Sequence, residues 1–217
     1  MFTLARRGFM QGLGVAAGAA MIPQFALAQA RRNVVVGVQR LPENISPGRD
    51  TSDFTVPISY NVFDKLIELD FQNQMAPAPG LATSWEIKDH KEITFRLREG
   101  VKFHNGDTMT ADDVAFTYSK ERRESDGPVR LSQFFSNIAE VHVVDPLTVR
   151  IVMDGVDPIL EQRFAMWSGE VVNKRAYLAA ESYTAWALNP VGTGPFKVAS
   201  LNSDAFNLEA FDDHWRG

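Results

Sequence analysis

The chain contains no cysteine among its 217 residues. Disulfides, thiolate metal sites and cysteine nucleophiles are therefore excluded, although the absence fixes no compartment. Basic charge is also in short supply: 22 Lys and Arg face 27 Asp and Glu, a net charge of -5. The first thirty residues hold Arg6 and Arg7 and no acid, so the body beyond them is more acidic still. That balance argues against nucleic-acid binding, which needs basic side chains to neutralise phosphates. Histidine is sparse and scattered, at His90, His104, His142 and His214. No H-x-x-x-H pair or neighbouring carboxylate stands at ligand spacing, so neither a metal site nor a cofactor is expected. No G-x-S-x-G elbow occurs. Ser168, in Trp167-Ser168-Gly169-Glu170, is a nucleophile by residue type only. The Asp112/Asp113 pair fits helix capping and Asp212/Asp213 a solvated turn, so no catalytic residue is assigned.

What is present has ordinary globular composition, 45% hydrophobic, 23% charged and 11% aromatic. Residues 1–30 read as an export signal. Arg6-Arg7 precedes an uncharged, Gly- and Ala-rich run from Gly8 to Ala30. Ala5-Arg6-Arg7-Gly8-Phe9-Met10 is similar to a twin-arginine motif, and weak hydrophobicity suits that route. Ala26-Leu27-Ala28 and Ala28-Gln29-Ala30 offer cleavage sites. The run is long enough to stay as an anchor, but Pro23, the glycines and the cleavage sites favour removal.

Asn33–Val38 is a continuous apolar run and predicts a buried first strand. Gln39–Pro57 is a polar, proline-containing loop. A loop after the first buried strand of an α/β sheet often faces a cleft, which makes Arg40 and Asn44 candidate ligand contacts, with Arg49 beside them. Ile58–Leu66 has helical spacing and carries Tyr60 and Asn61, two further candidates. Ile67–Phe71 reads as a strand and Asn73–Gly80 as an extended connector.

Leu81 to Lys120 organises the rest. Trp85 and Ile87 alternate with Ser84, Glu86 and Lys88; Ile93, Phe95 and Leu97 alternate with Thr94, Arg96 and Arg98. Period two means two half-buried strands, joined at Asp89-His90-Lys91. Asn105-Gly106-Asp107 forces a turn. Thr110 opens a helix with Asp113 three places on, as in a capping box, and Arg122 and Arg123 suit its C-terminal end. Further on, Leu131, Phe134 and Phe135 suggest a helix, and Ile138–Val144 and Leu147–Val152 a hairpin across Asp145-Pro146. Asp157-Pro158 opens another helix, Lys174–Ala180 forms one more, and Val198 to Phe211 reads as a strand pair. Trp167, weakly patterned, is an aromatic candidate for a cleft.

The order L-A-x-S-W-E, T-F-x-L-R-x-G-V-K-F-H-N-G-D and T-A-D-D-V-x-F-[ST], over Leu81–Ser119, resembles the signature of the family 5 solute-binding proteins of bacterial ABC importers. Gly192-Thr193-Gly194-Pro195-Phe196 resembles the family's G-T-G-P-[FY] element and brings in Thr193 as a sixth candidate. The resemblance implies a mixed α/β (α+β) fold, periplasmic-binding-protein-like of class II, incomplete in this chain. Residues 31–56 would begin lobe I, 57–187 form the inserted second domain, and 188–217 return to lobe I, with the opposing lobe absent. It implies a monomer, not an enzyme, that captures peptide-like solutes in the periplasm and delivers them to an ABC permease and ATPase. An exported hydrolase and a non-transporting ligand sensor or scaffold of the same fold are the alternatives. The substrate stays open among dipeptide, oligopeptide, nickel, opine and sugar.

Overall fold

The computed structural model describes residues 33–49, 52–125 and 129–217. The export-signal expectation for residues 1–30 lies outside them. The chain divides into two compact units, Met1–Val36 and Gly37–Gly217. The strand expected at Asn33–Val38 is not formed. Val34, Val35 and Val36 are 81%, 93% and 74% exposed. An apolar run becomes a strand only beside a ladder that takes its backbone groups, and none of the described strands pairs with it.

Residues 37–217 open with an irregular loop to Arg49. Helix α1 (Thr55–Val62) follows, then a two-stranded sheet of β1 (Ile67–Asp70) and β2 (Ala76–Pro79). The connector expected at Asn73–Gly80 is thus partly strand. Pro77 and Pro79 lie opposite Leu69 and Ile67, and a two-stranded sheet tolerates proline because each strand is an edge.

Strands β3 (Ala82–Lys88) and β4 (Glu92–Leu97) form the expected hairpin, with Asp89 and His90 both at positive φ in its turn. Helix α2 (Ala111–Tyr118) begins at Thr110, whose N–H donates to Asp113 Oδ2 at 3.0 Å. Short helices α3 (Lys120–Arg123) and α4 (Val129–Phe134) lead to β5 (Ile138–Asp145) and β6 (Thr148–Met153). Strands β3, β4, β6 and β5 pair in that order as one antiparallel sheet. Its register sets Trp85, Phe95 and Val149 in one row and Ile87, Ile93 and Ile151 in the next. These rows face the core, and Glu86, Lys88, Arg96 and Arg150 take the other face, as period two requires.

Helices α5 (Leu160–Ala165), α6 (Lys174–Ala179) and α7 (Tyr183–Leu188) precede a closing hairpin of β7 (Phe196–Leu201) and β8 (Phe206–Ala210). The larger core lies against the four-stranded sheet. There Phe95, Tyr118, Phe135 and Phe164 meet with ring centroids 5.1–5.4 Å apart. A second cluster gathers Ile45, Val62, Phe63, Phe116, Val172 and Trp186, with Val198, Phe206 and Leu208 packed on it.

Arg122 and Arg123 do not close α2 but stand in the last turn of α3. Helix α2 stops at Tyr118, and both arginines are buried. Arg123 donates to the carbonyls of Tyr118, Phe135 and Ile138 and so ties α2, α4 and β5 together. The main chain supplies these acceptors, so no acidic partner signalled the burial in sequence.

Gly192 and Gly194 cross the end of α1 at contact distance. A Cβ at Gly192 would stand 2.0 Å from the Val62 carbonyl oxygen, and one at Gly194 2.6 Å from the Val62 carbonyl carbon. Gly194→Ala must push backbone against backbone. It should lower stability by about 1–3 kcal/mol, as overpacking does, read as a lower urea midpoint with an unchanged slope.

Candidate functional site

The loop before Arg49 lines a cavity of about 360 Å³ with Arg40, Glu43, Asn44, Arg49 and Phe54 among its walls. Arg40 Nη2 donates to Glu43 Oε1 at 3.0 Å, and Asn44 Oδ1 accepts the Ser46 N–H at 3.2 Å. The loop therefore orders its own polar side chains. It is held from beneath by α7: the Ser46 and Tyr183 hydroxyls hydrogen-bond, and the Arg49 guanidinium lies 5.5 Å from the Tyr183 ring centre. The Leu131 N–H donates to the Gly48 carbonyl at 3.2 Å.

A second group forms around α1. Tyr60 and Trp167 are each 36% exposed, half-buried aromatics of the kind a solute can lie against. Lys65 links them. Its Nζ sits 4.3 Å from the Tyr60 ring centre and donates to the Ala165 carbonyl at 2.9 Å, two residues before Trp167. Phe134 supports Trp167 edge-on at 5.7 Å. Asn61 Nδ2 donates to the Pro57 carbonyl at 2.7 Å and is engaged within its own helix.

Below this pair lies Glu170, fully buried and bridged through its backbone to Lys65. Ser168 holds φ at 72°, a left-handed conformation uncommon for serine. The Glu170 carboxylate accepts from the Ser59 hydroxyl at 3.5 Å. Burial pushes the Glu170 carboxyl up and the Lys65 ammonium down. Burial, then the Glu170 charge, pushes the Tyr60 phenol up to about 12. Strain and shifted protonation equilibria concentrate at functional positions.

Thr193 is internal. Its hydroxyl donates to Asp64 Oδ2 at 2.8 Å, and Trp215 Nε1 donates to the same oxygen at 2.9 Å. His214 Nε2 stands 3.6 Å away. Burial raises the Asp64 carboxyl, but the polar hydrogens of His214, Trp215 and Thr193 outweigh it and leave the group low. His104 clamps the flanking glycines: Nδ1 accepts the Gly192 N–H at 3.3 Å, while Nε2 lies 2.9 Å from the Gly194 carbonyl. Together these contacts require a neutral ring protonated on Nε2.

The structure thus places Arg40 with Asn44 around one cavity and joins Tyr60 through Lys65 to the segment before Trp167, while Thr193 serves the interior. Sequence reasoning passed over Lys65, Glu170 and Ser46. Glu170 lay in the Trp-Ser-Gly-Glu segment examined for its serine, and the only signal was an acid between apolar residues. Ser168 Oγ has no hydrogen-bonding partner among the described residues, and a nucleophile needs a base within reach. Among the described residues no three metal-ligating side chains gather, and no helix is long and apolar enough to cross a membrane.

Residues 76–217 match the family described as bacterial extracellular solute-binding proteins, family 5 Middle. The chain belongs to this family. The dipeptide-binding protein of Escherichia coli is 30% identical over 196 residues, 80% of this chain and 36% of its own length. The periplasmic binding protein DppA of Helicobacter pylori, solved with a bound peptide, superposes with a TM-score of 0.71 at 26% identity. The match covers 79% of this chain and 38% of that one. MoaA of Agrobacterium tumefaciens, solved with mannopinic acid, gives 0.69 at 28% identity over 81% and 36%. This family 5 chain therefore spans under half the length of these relatives. Its mixed α/β fold is that of a periplasmic binding protein, in part.

Two titrations test the site. Burial holds the His104 ring below its usual range despite the Gly194 carbonyl. The neutral ring is favoured by folding, so its contribution is complete above about 6.5 and lost as pH falls through the folded value. Imidazole NMR should show His104 titrating below about 6.5, with wild-type stability falling over the same window; an upward shift contradicts the clamp. For Tyr60 the neutral phenol is favoured, so its contribution holds below about 10 and is lost as pH rises through the folded value. Ultraviolet titration should show an ionisation near 12 that Tyr60→Phe removes.

Proposed function

We propose that this family 5 chain supplies part of the substrate-binding component of an ABC importer. In this proposal it captures peptide-like solutes outside the inner membrane and delivers them to a permease and its ATPase. The observation that carries the proposal is the family match over residues 76–217, joined to a shared fold with a binding protein solved around a peptide. Residues 31–56 and 188–217 are assigned to lobe I and 57–187 to the inserted domain. Packing of Val198, Phe206 and Leu208 on the cluster that holds Ile45 supports joining 31–56 to 188–217, although the same cluster also takes Val62, Phe63, Phe116, Val172 and Trp186 from 57–187. Residues 1–30 are assigned to export by the twin-arginine route, which puts the chain in the periplasm.

Within this frame Tyr60 and Trp167 are the contact surface for an apolar portion of the solute. Arg40 and Asn44, with Asn61, offer charge and amide groups, while Thr193 acts from the interior through Asp64. Aromatic faces with a few placed polar groups suit a family that takes varied peptides. Capture proceeds by closure of lobes about a hinge, which removes the solute from water.

Isothermal titration of the purified protein with alanylalanine and with tri- to pentapeptides tests the proposal. Saturable binding is expected, weakened about tenfold by Tyr60→Ala or Trp167→Ala, a loss of about 1.4 kcal/mol each. Absence of saturable heat with every peptide overturns it.

A further inference from the structure

The cavity beside the Arg49 loop carries charge of the sign in which the chain is poor. The sequence has a net charge of -5, yet the described lining of this cavity sets Arg40 and Arg49 against a single acid, Glu43. Glu43 already accepts from Arg40 at 3.0 Å, and the two side chains are 81% and 67% exposed. An ion pair so far in water contributes little and opens at small cost. Asn44 Oδ1 accepts the Ser46 N–H at 3.2 Å, and its Nδ2 adds a neutral donor to the wall. Leu41, Pro42 and Phe54 make the lining partly apolar. Positive charge in a concavity with low-dielectric walls attracts anions.

Arg49 is the fixed point of this wall. Its guanidinium lies 5.5 Å from the Tyr183 ring centre, and the Tyr183 hydroxyl bonds to that of Ser46. The Arg49 N–H donates to the Ser46 carbonyl at 3.4 Å, and the Leu131 N–H holds the Gly48 carbonyl at 3.2 Å. A loop tied at Ser46 and Gly48, with a ring beside the guanidinium, restricts the positions that Arg49 can take. The planar fork of an arginine matches the two oxygens of a carboxylate, and placing it in advance lowers the ordering cost of binding. The cavity, about 360 Å³, stands at the small end of ligand pockets and suits the end of a peptide rather than its length.

We infer that this cavity is a carboxylate subsite, in which Arg49, with Arg40 and Asn44, takes a carboxylate of the solute. The incoming group replaces Glu43 on Arg40. The inference rests on the peptide-capture reading above and adds to it a requirement for an acidic end.

Isothermal titration with alanylalanine and with alanylalanine amide tests it, because the two differ in whether that end is ionised. The free acid should bind about tenfold or more tightly, and Arg49→Gln should bring the ratio close to about one. Equal affinities, or a ratio that Arg49→Gln leaves intact, overturn the inference while the peptide reading stands. Alanylaspartic acid α-amide separates the two sources of a carboxylate. Tight binding that Arg49→Gln abolishes supports the subsite with a side-chain carboxylate as its occupant; binding as weak as that of alanylalanine amide supports it with the terminal one. No saturable heat with any of the three overturns the peptide reading and the inference together. Should Arg49→Gln fail to fold, nitrogen-15 NMR of the wild-type Arg49 Nε–H decides. A displacement that saturates with the acid and is absent with the amide supports the subsite, and equal displacements overturn it.

Discussion

Asp64 is the point on which the described fold closes. Its carboxylate, buried just after α1, gathers the Thr193 hydroxyl and the Trp215 indole from segments more than a hundred residues away. Such contacts carry the loop-closure entropy of the chain between them, so they must be strong to persist. A buried carboxylate earns its place only when several donors satisfy it, and here they do. The crossing also demands closeness. Gly194 donates its N–H to the Val62 carbonyl at 3.0 Å, and no side chain fits at Gly192 or Gly194. His104, clamped on both glycines, extends the same node to the Asn105-Gly106-Asp107 turn. The hairpin-and-helix stretch and the end of the chain are in this way fastened to the same few backbone atoms.

A second constraint is the burial of charge without a matching side chain. Arg123 spends its guanidinium on three main-chain carbonyls. Lys65 places its ammonium between a carbonyl and an aromatic face, an arrangement that favours a cation without an acid in direct contact. Glu170 takes the Ser59 hydroxyl at 3.5 Å and makes no direct salt bridge among the described residues. Lys65 and Glu170 in turn stand beside Tyr60, the first over its ring and the second acting on its phenol.

Much of the architecture was legible in sequence because its cause is local. The Trp85–Leu97 hairpin, the Gly106 turn and the Thr110–Asp113 cap follow from period-two alternation, glycine at positive φ and side-chain capping. The family signature over Leu81–Ser119 agrees with the wider match to residues 76–217. Local cues failed where tertiary context decided. The valines of Asn33–Val38 look like a buried strand but lie exposed. Ala76–Pro79 looks like a connector but pairs with β1. Helix α7 has little periodicity, and its Tyr183 matters through a hydroxyl contact with distant Ser46. Of the candidate site, the residue types were legible and their grouping was not. Arg40 with Asn44 and Tyr60 with Trp167 fall in two places, joined to the core by Tyr183, Lys65 and Glu170.

The sequence by itself determined the family, the central hairpin, the capped helix and the acidic, cysteine-free character of the body. Each rests on spacing within a few residues or on composition, and neither depends on what packs nearby. Only the tertiary structure decided that Arg122, Arg123 and Glu170 are interior, that Thr193 faces Asp64 rather than solvent, and that Lys65 joins Tyr60 to the segment before Trp167. Burial of a charge depends on which distant carbonyls, N–H groups and aromatic faces arrive beside it, and no periodicity along the chain encodes their arrival.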